Sequence, residues 1–177
     1  MPLELPTPAV RSTPLMKLTH FALALGLALL GSCGGSATPA ENVQAGSTAL
    51  GKSDWRAAQS SFEAALAALP AEDAAYKRAK LGQVEALIQL DATRAKTEFL
   101  AYADSAAATL DSKDWRAVMT KLTAKGKFAE AIGVLEAGLK KHPQDGDIKK
   151  MGDAIKVAAE KAGDSGALDS LKGLGYL

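Results

Sequence analysis

The sequence has very few of the side chains that most enzymes use for catalysis. It contains one cysteine, Cys33, and two histidines, His20 and His142. A single cysteine excludes an internal disulfide, and this inventory cannot supply a zinc site made of cysteine and histidine ligands. It also leaves little material for a cysteine–histidine nucleophile pair. We therefore expect no catalytic residue, no cofactor and no metal in this chain.

Aromatic residues and net charge are also scarce. Aromatic residues make up 5% of the chain, and its formal net charge is +1. A charge balance so close to neutral gives no support for nucleic acid as a partner. Alanine is abundant, whereas valine, isoleucine and threonine are sparse outside short stretches. This composition favours helices over a β-sandwich or a parallel sheet.

The longest apolar run is too short to cross a membrane as a stable helix. It covers residues 18–30, and a spanning helix needs about 20 apolar residues. Lys17 precedes the run and small residues follow it, as in a secretory signal peptide. We predict that residues 1–32 are this signal peptide. We expect the natural start at Met16, because the four prolines before it are atypical of the basic segment that opens a signal peptide.

The single cysteine stands at the end of this apolar run. Residues 30–33, Leu-Gly-Ser-Cys, resemble the lipobox of bacterial lipoproteins. The resemblance implies cleavage before Cys33, a covalent lipid on its sulfur and an acyl chain on its new amino group, which together anchor a protein stably. Gly34, rather than aspartate, implies the outer membrane, facing the periplasm. Residues 33–40 are then a lipidated N-terminus and flexible tether; the alternative is an ordinary secreted protein.

From about Glu41 onward, apolar residues recur at the three- and four-residue spacing of helices. Glycine, proline and aspartate interrupt the pattern at short intervals, as they do between helices. The sequence therefore predicts an all-α fold made of helical hairpins in series. The apolar stripes are Leu81, Val84, Leu87 and Ile88; Trp115, Val118, Met119 and Leu122; Phe128, Ala131, Ile132, Leu135 and Leu139; and Ile148, Met151, Ile155 and Ala159.

Segments 53–70 and 126–143 repeat each other at a constant spacing. In both, an aromatic residue is followed by alanine, a bulky apolar residue, a small residue and proline. This pattern resembles the second helix of the tetratricopeptide repeat, a unit of 34 residues. The resemblance implies hairpins that stack by packing bulky side chains against small ones. The matching pairs are Trp55 and Phe128, Ala58 and Ala131, Phe62 and Leu135, Ala65 and Gly138, Leu66 and Leu139, and Pro70 and Pro143.

The resemblance implies an α-solenoid of about three tetratricopeptide-like hairpins plus a C-terminal capping helix, within residues 41–162. The middle unit matches less well, and Leu81-Gly82 is its clearest signature. Residues 163–177 are rich in leucine for a chain end, so this tail is either flexible or docked on the domain. The three units and the closing helix cover residues 39–72, 73–111, 112–145 and 146–162.

Residues 46–53 match the phosphate-binding pattern G-x-x-x-x-G-K-S. The pattern binds phosphate when it connects a buried strand to a helix, because backbone N–H groups then wrap the phosphates. The residues before Gly46 contain no strand-like apolar run. We therefore interpret Gly46 as a small helix-packing residue and residues 51–54 as a turn. A nucleotide-binding enzyme remains the alternative from another functional class.

The other chemically reactive residues have ordinary structural interpretations. His142 follows Lys140 and Lys141 at the end of a helix, where cations are stabilising. Trp55 and Trp115 occupy positions that the tetratricopeptide resemblance assigns to packing. No close pair of carboxylates stands out for acid–base catalysis.

In tetratricopeptide proteins, partner peptides commonly lie along the concave surface formed by the first helix of each hairpin. The resemblance places six residues of this chain there as a candidate peptide-binding groove. A basic groove would suit an acidic segment or a terminal carboxylate; the alternative is an ordinary solvated surface. The six residues are Lys80, Val84, Lys113, Arg116, Thr120 and Thr123.

Together these patterns predict a membrane-anchored lipoprotein of the cell envelope whose helical domain is an interaction module or scaffold. Its expected partners are a protein or extended peptide, and the membrane through the lipid on Cys33. We expect neither nucleic acid nor a small-molecule substrate. The alternative among binding proteins is a structural subunit of an outer-membrane or envelope assembly complex, in which the same surface is permanently buried.

Overall fold

The computed structural model describes residues 37–105 and 107–177. Within these residues the chain forms α-helices and no β-strand, so the expected all-α class is confirmed. The predicted signal peptide, residues 1–32, and Cys33 lie outside the described residues. The helices are α1 (Pro39–Gly51), α2 (Trp55–Leu66), α3 (Ala74–Leu90), α4 (Ala92–Asp104), α5 (Ser112–Ala124), α6 (Phe128–Lys141), α7 (Gly146–Ala162) and α8 (Ser165–Gly173).

Aspartate side chains begin six of these helices. Each accepts a hydrogen bond from a backbone N–H of the first turn, which has no partner inside the helix. Helix α1 instead begins with a capping box, in which Glu41 accepts the backbone N–H of Thr38 at 2.7 Å. Asp91 ends α3 and also begins α4, so the turn between them is a single residue. The six aspartates are Asp54, Asp73, Asp91, Asp111, Asp145 and Asp164.

The helices pair with their chain neighbours, α1 with α2, α3 with α4, α5 with α6 and α7 with α8, and the pairs stack in chain order. The first helix of each pair contacts the first helix of the next pair, from α1 through α3 and α5 to α7. Among the second helices, α4 contacts α6 and α6 contacts α8. This is the solenoid-like arrangement expected for the chain, in which each pair is stabilised mainly by its neighbours.

The buried apolar residues form two clusters. The N-terminal cluster joins α1, α2 and one face of α3, and Phe62 is its one aromatic member. The C-terminal cluster extends from α3 to α8 and contains Phe99, Trp115 and Leu135. Helix α3 contributes to both clusters and therefore connects them. The N-terminal cluster comprises Val43, Ala58, Phe62, Ala65, Ala79 and Ala86.

Helix α7 covers the residues expected of a closing helix, but it is not the last helix of the described chain. Gly163, with a left-handed φ of 72°, ends α7 and turns the chain into α8. Leu171 of α8 is fully buried, and the hydroxyl of Tyr176 donates to the carbonyl oxygen of Lys149 at 3.0 Å. The tail is therefore docked, because it buries apolar surface on α6 and α7.

Candidate functional site

A groove lies on the side of the domain formed by the first helices α1, α3 and α5. Its volume is about 280 Å³. Most of its floor is apolar, and four charged side chains stand around it. An apolar concavity with a few charged groups at its edge is the usual form of a binding site. The groove is lined by Ser47, Leu50, Phe62, Arg78, Leu81, Gly82, Glu85, Ile88, Asp114, Ala117, Val118 and Lys121.

Small residues create the space of this groove. Gly46 and Gly82 allow the ring of Phe62 to reach the floor from α2, because a Cβ atom at Gly46 would lie 2.7 Å from the ring. A Cβ atom at Gly82 would overlap the same ring. On α5, Ala117 is exposed and its short side chain leaves the groove open. Half-buried Leu81 adds an apolar surface beside it. Leu50, Leu81 and Ala117 form the accessible part of this apolar lining. Phe62, Ile88 and Val118 lie beneath it and are almost completely buried.

Most of the charges around the groove are already paired. Lys121 of α5 forms an ion pair with Glu85 of α3. The ammonium of Lys77 lies 2.7 Å from the carboxylate of Asp114, and the hydrogen bond that it donates to this carboxylate raises the pKa of Lys77. Arg78 is exposed and has no ion pair among the residues that the structure describes. The groove therefore presents one unpaired cation beside an apolar floor.

A basic surface continues from the groove across α5 toward α7. Lys113, Arg116 and Thr120 line this shallow depression together with Ala117 and Lys121, which also line the groove. We call Lys113, Arg116 and the neighbouring Lys150 the basic shelf.

One carboxylate serves two cations of the basic shelf. Asp147 of α7 lies 3.3 Å from the guanidinium of Arg116 and 3.5 Å from the ammonium of Lys150. Lys113 has no ion pair within the described part of the chain. The carboxylate of Asp111 also lies beside Lys113 and accepts a hydrogen bond from its backbone N–H at 2.9 Å. The basic shelf therefore carries three positive charges against two negative charges.

The structure brings together three of the six predicted groove residues, Lys113, Arg116 and Thr120. Val84 does not lie in the groove, because it is fully buried in the C-terminal cluster. Lys80 faces α4 instead, where its ammonium lies 2.6 Å from Glu98.

Thr123 lines neither the groove nor the depression on α5. Its hydroxyl donates a hydrogen bond to the carbonyl oxygen of Met119 at 2.8 Å. The groove residues of α3 that sequence reasoning missed are Arg78, Leu81, Gly82, Glu85 and Ile88, and all but Ile88 lie one or two positions from Lys80 or Val84. Leu81-Gly82 was the available signal, because a small residue beside leucine marks where a neighbouring helix approaches closely.

The segment that matches a phosphate-binding loop is mostly helical. Gly46 lies in the middle of α1 and is buried against Phe62. The helix continues to Gly51, so the backbone N–H groups of this segment are used in helical hydrogen bonds. They cannot wrap a phosphate in this conformation. The turn that follows contains Ser53 with a left-handed φ of 58°.

Trp115 packs against Phe99 and His142 in the second half of the domain. The ring of Trp115 is fully buried. Its centroid lies 4.9 Å from the ring centroid of Phe99 and 5.9 Å from that of His142. Its indole N–H has no acceptor among the described residues. No group of three or more potential metal ligands occurs in residues 37–105 and 107–177.

No described helix is both long enough and apolar enough to cross a membrane. Cys33, the predicted lipidation site, lies outside the described residues. No family model matches the chain, and no curated protein or solved structure matches it either.

Proposed function

We propose that this chain is a lipoprotein of the bacterial cell envelope whose tetratricopeptide-like domain binds a segment of another protein in the groove between α1, α3 and α5. The observation that carries the proposal is the open apolar floor of that groove, with charged side chains around it. A concave, mainly apolar site with a few charged groups at its edge favours a binding role. The proposal assigns no catalytic residue, cofactor, metal, nucleic acid or small-molecule substrate.

The anchor adds a second element to the proposal. Cys33 would carry the lipid, and residues 34–38 separate it from α1. A tether of that length reaches less than about 20 Å even when fully extended. The groove would therefore work close to the periplasmic surface of the outer membrane. Partners in the same membrane would meet it at a raised effective concentration.

Site-specific photo-crosslinking in the native envelope tests this proposal. A photoreactive amino acid replaces Ala117 in the groove or, as a control, Ala129, which is exposed on α6. We expect a discrete crosslinked product from position 117 and none from position 129, because only the groove would hold a guest. Equal crosslinking from both positions would contradict the assignment of the groove.

The same experiment in a Cys33→Ala background tests the anchor. We expect the protein to move from the membrane fraction to the soluble fraction, and the product from position 117 to decrease with it. Membrane retention of a processed Cys33→Ala protein would refute lipid anchoring but leave groove binding intact. The two parts of the proposal can therefore fail separately.

A further inference from the structure

Building on the proposed function, we infer that the guest of the groove is a segment in which carboxylates stand next to a group of apolar residues. The apolar residues cover the floor between α3 and α5, and the carboxylates lie over the basic shelf of Lys113, Arg116 and Lys150. The inference depends on the continuity of these two surfaces, since Ala117 and Lys121 line both. A single bound segment can therefore contact the floor and the shelf at once.

The groove itself selects against a highly charged segment. Lys121 and Glu85 neutralise each other, and Asp114 is engaged by Lys77. A charge placed on the floor would lose water without gaining a partner there. The exception is Arg78, whose guanidinium has no ion pair within the described residues. It can donate hydrogen bonds to a carboxylate of the guest at the edge of the groove.

The basic shelf has the opposite preference. Arg116 and Lys150 share the carboxylate of Asp147, and Lys113 lies beside Asp111 without forming an ion pair within the described residues, so a net positive charge remains. A basic guest would be repelled there, and a wholly apolar guest would leave these cations without partners. Carboxylates provide the complementary charge. Because the cations are exposed, each new ion pair contributes modestly, so the shelf supplies selectivity more than affinity.

Anionic lipid headgroups could also contact these cations, but the adjoining floor favours a peptide. A membrane surface cannot readily enter a concavity that lies between three helices, whereas a narrow peptide segment can. The apolar floor and the basic shelf would then be occupied by one guest of mixed composition. Binding of anionic lipid by the basic shelf in place of the peptide would contradict the inference.

Three labelled synthetic peptides test the inference by their binding to the immobilised full chain. The first has a leucine-rich part followed by a run of glutamates. The second replaces every glutamate with lysine, and the third replaces every leucine with serine. We expect the first peptide to bind about tenfold more tightly than the second, since two exposed ion pairs of about threefold each combine. Added salt should reduce this difference.

The matched variants assign the effect to the basic shelf. Lys113→Gln with Arg116→Gln should abolish most of the preference for glutamate over lysine. Lys125→Gln with Lys127→Gln changes the charge equally at exposed positions outside the lining of both surfaces, so the preference should remain. Ala117→Gln should weaken the binding of the leucine-rich peptides, because the larger side chain fills the groove without adding charge.

The unfavourable outcomes distinguish the inference from the proposed function. Equal or tighter binding of the lysine peptide, still sensitive to Ala117→Gln, overturns the inference and leaves groove binding intact. Insensitivity of every peptide to Ala117→Gln overturns both. Loss of binding to phosphatidylglycerol vesicles in the Lys113→Gln, Arg116→Gln variant, with unchanged peptide binding, assigns the basic shelf to lipid and also overturns the inference.

Discussion

The N-terminal and C-terminal clusters hold their helices together in different ways. In the N-terminal cluster one large side chain, Phe62, is surrounded mainly by alanines, and its ring fits against Gly46 and Gly82. In the C-terminal cluster, large side chains contact other large side chains, as Trp115 contacts Phe99. The first arrangement depends on one aromatic ring, and the second depends on many large side chains.

This difference explains why the groove lies where it does. The alanine-rich helices α1 and α3 have little bulk with which to fill the space between them, so the floor beside Phe62 stays open. Toward α6 and α7 the large side chains fill the interior. The same small residues that permit a binding surface therefore make the packing of the first hairpin dependent on the contacts of Phe62.

The largest expected loss of stability comes from a substitution that disrupts the C-terminal cluster. Trp115→Ala should lower the free energy of unfolding by about 3 to 5 kcal/mol, because it leaves a cavity beside Phe99 and Gly138. Trp55→Ala is the matched control, since Trp55 is half-buried and belongs to neither cluster. Chemical denaturation followed by circular dichroism measures both. Equal losses for the two variants would show that Trp115 is not a central packing residue.

An intermediate effect tests the N-terminal cluster. Gly82→Ala should lower the free energy of unfolding by about 1 to 3 kcal/mol, because its Cβ atom would overlap the ring of Phe62. Adding Phe62→Leu should restore part of this loss, so the two changes are coupled. Gly173→Ala is the control, because nothing lies near a Cβ atom at that position. Strictly additive effects in denaturation would contradict the close fit.

The smallest expected effect is on the dependence of stability on pH. Hydrogen bonds from Ser112 and from the backbone N–H groups of α7 lower the pKa of Asp145. Its carboxylate therefore stabilises the fold above the ordinary aspartate pKa of about 3.9, and this contribution is lost as the pH falls through the lowered value.

Comparison of two aspartate substitutions isolates that contribution. Asp145→Asn keeps a good helix N-cap but cannot ionise, so acid should destabilise this variant less than the unmodified chain. Asp169→Asn changes an exposed aspartate of α8 and should leave the acid profile unaltered. Thermal unfolding at a series of acidic pH values supplies the measurement. Identical acid profiles for both variants would exclude a special role for Asp145.

The sequence was informative wherever local chemistry decides the structure. The apolar spacing and the turn residues predicted the helices, and the match between Ala65 and Gly138 predicted small residues at buried positions, which both residues occupy. These features depend on neighbours along the chain. They can be read without knowing the fold.

Long-range packing was harder to predict. Val84 was assigned to the groove but is buried in the C-terminal cluster, and Lys80 pairs with Glu98 of α4 instead. The rotation of α3 about its axis depends on its packing against α2, α4 and α5, which the spacing within α3 does not reveal. The docking of the tail depends on Tyr176 meeting α7, a contact that no local pattern contains.

The contacts of Phe62 limit how this domain can change during evolution. Because one ring touches glycines on two different helices, a mutation at any of the three positions is tolerated only on certain backgrounds. A larger residue at position 46 or 82 destabilises the domain less when a smaller residue is already present at position 62. In homologous sequences these three positions should therefore vary together, and the order of their replacements along a lineage should be constrained.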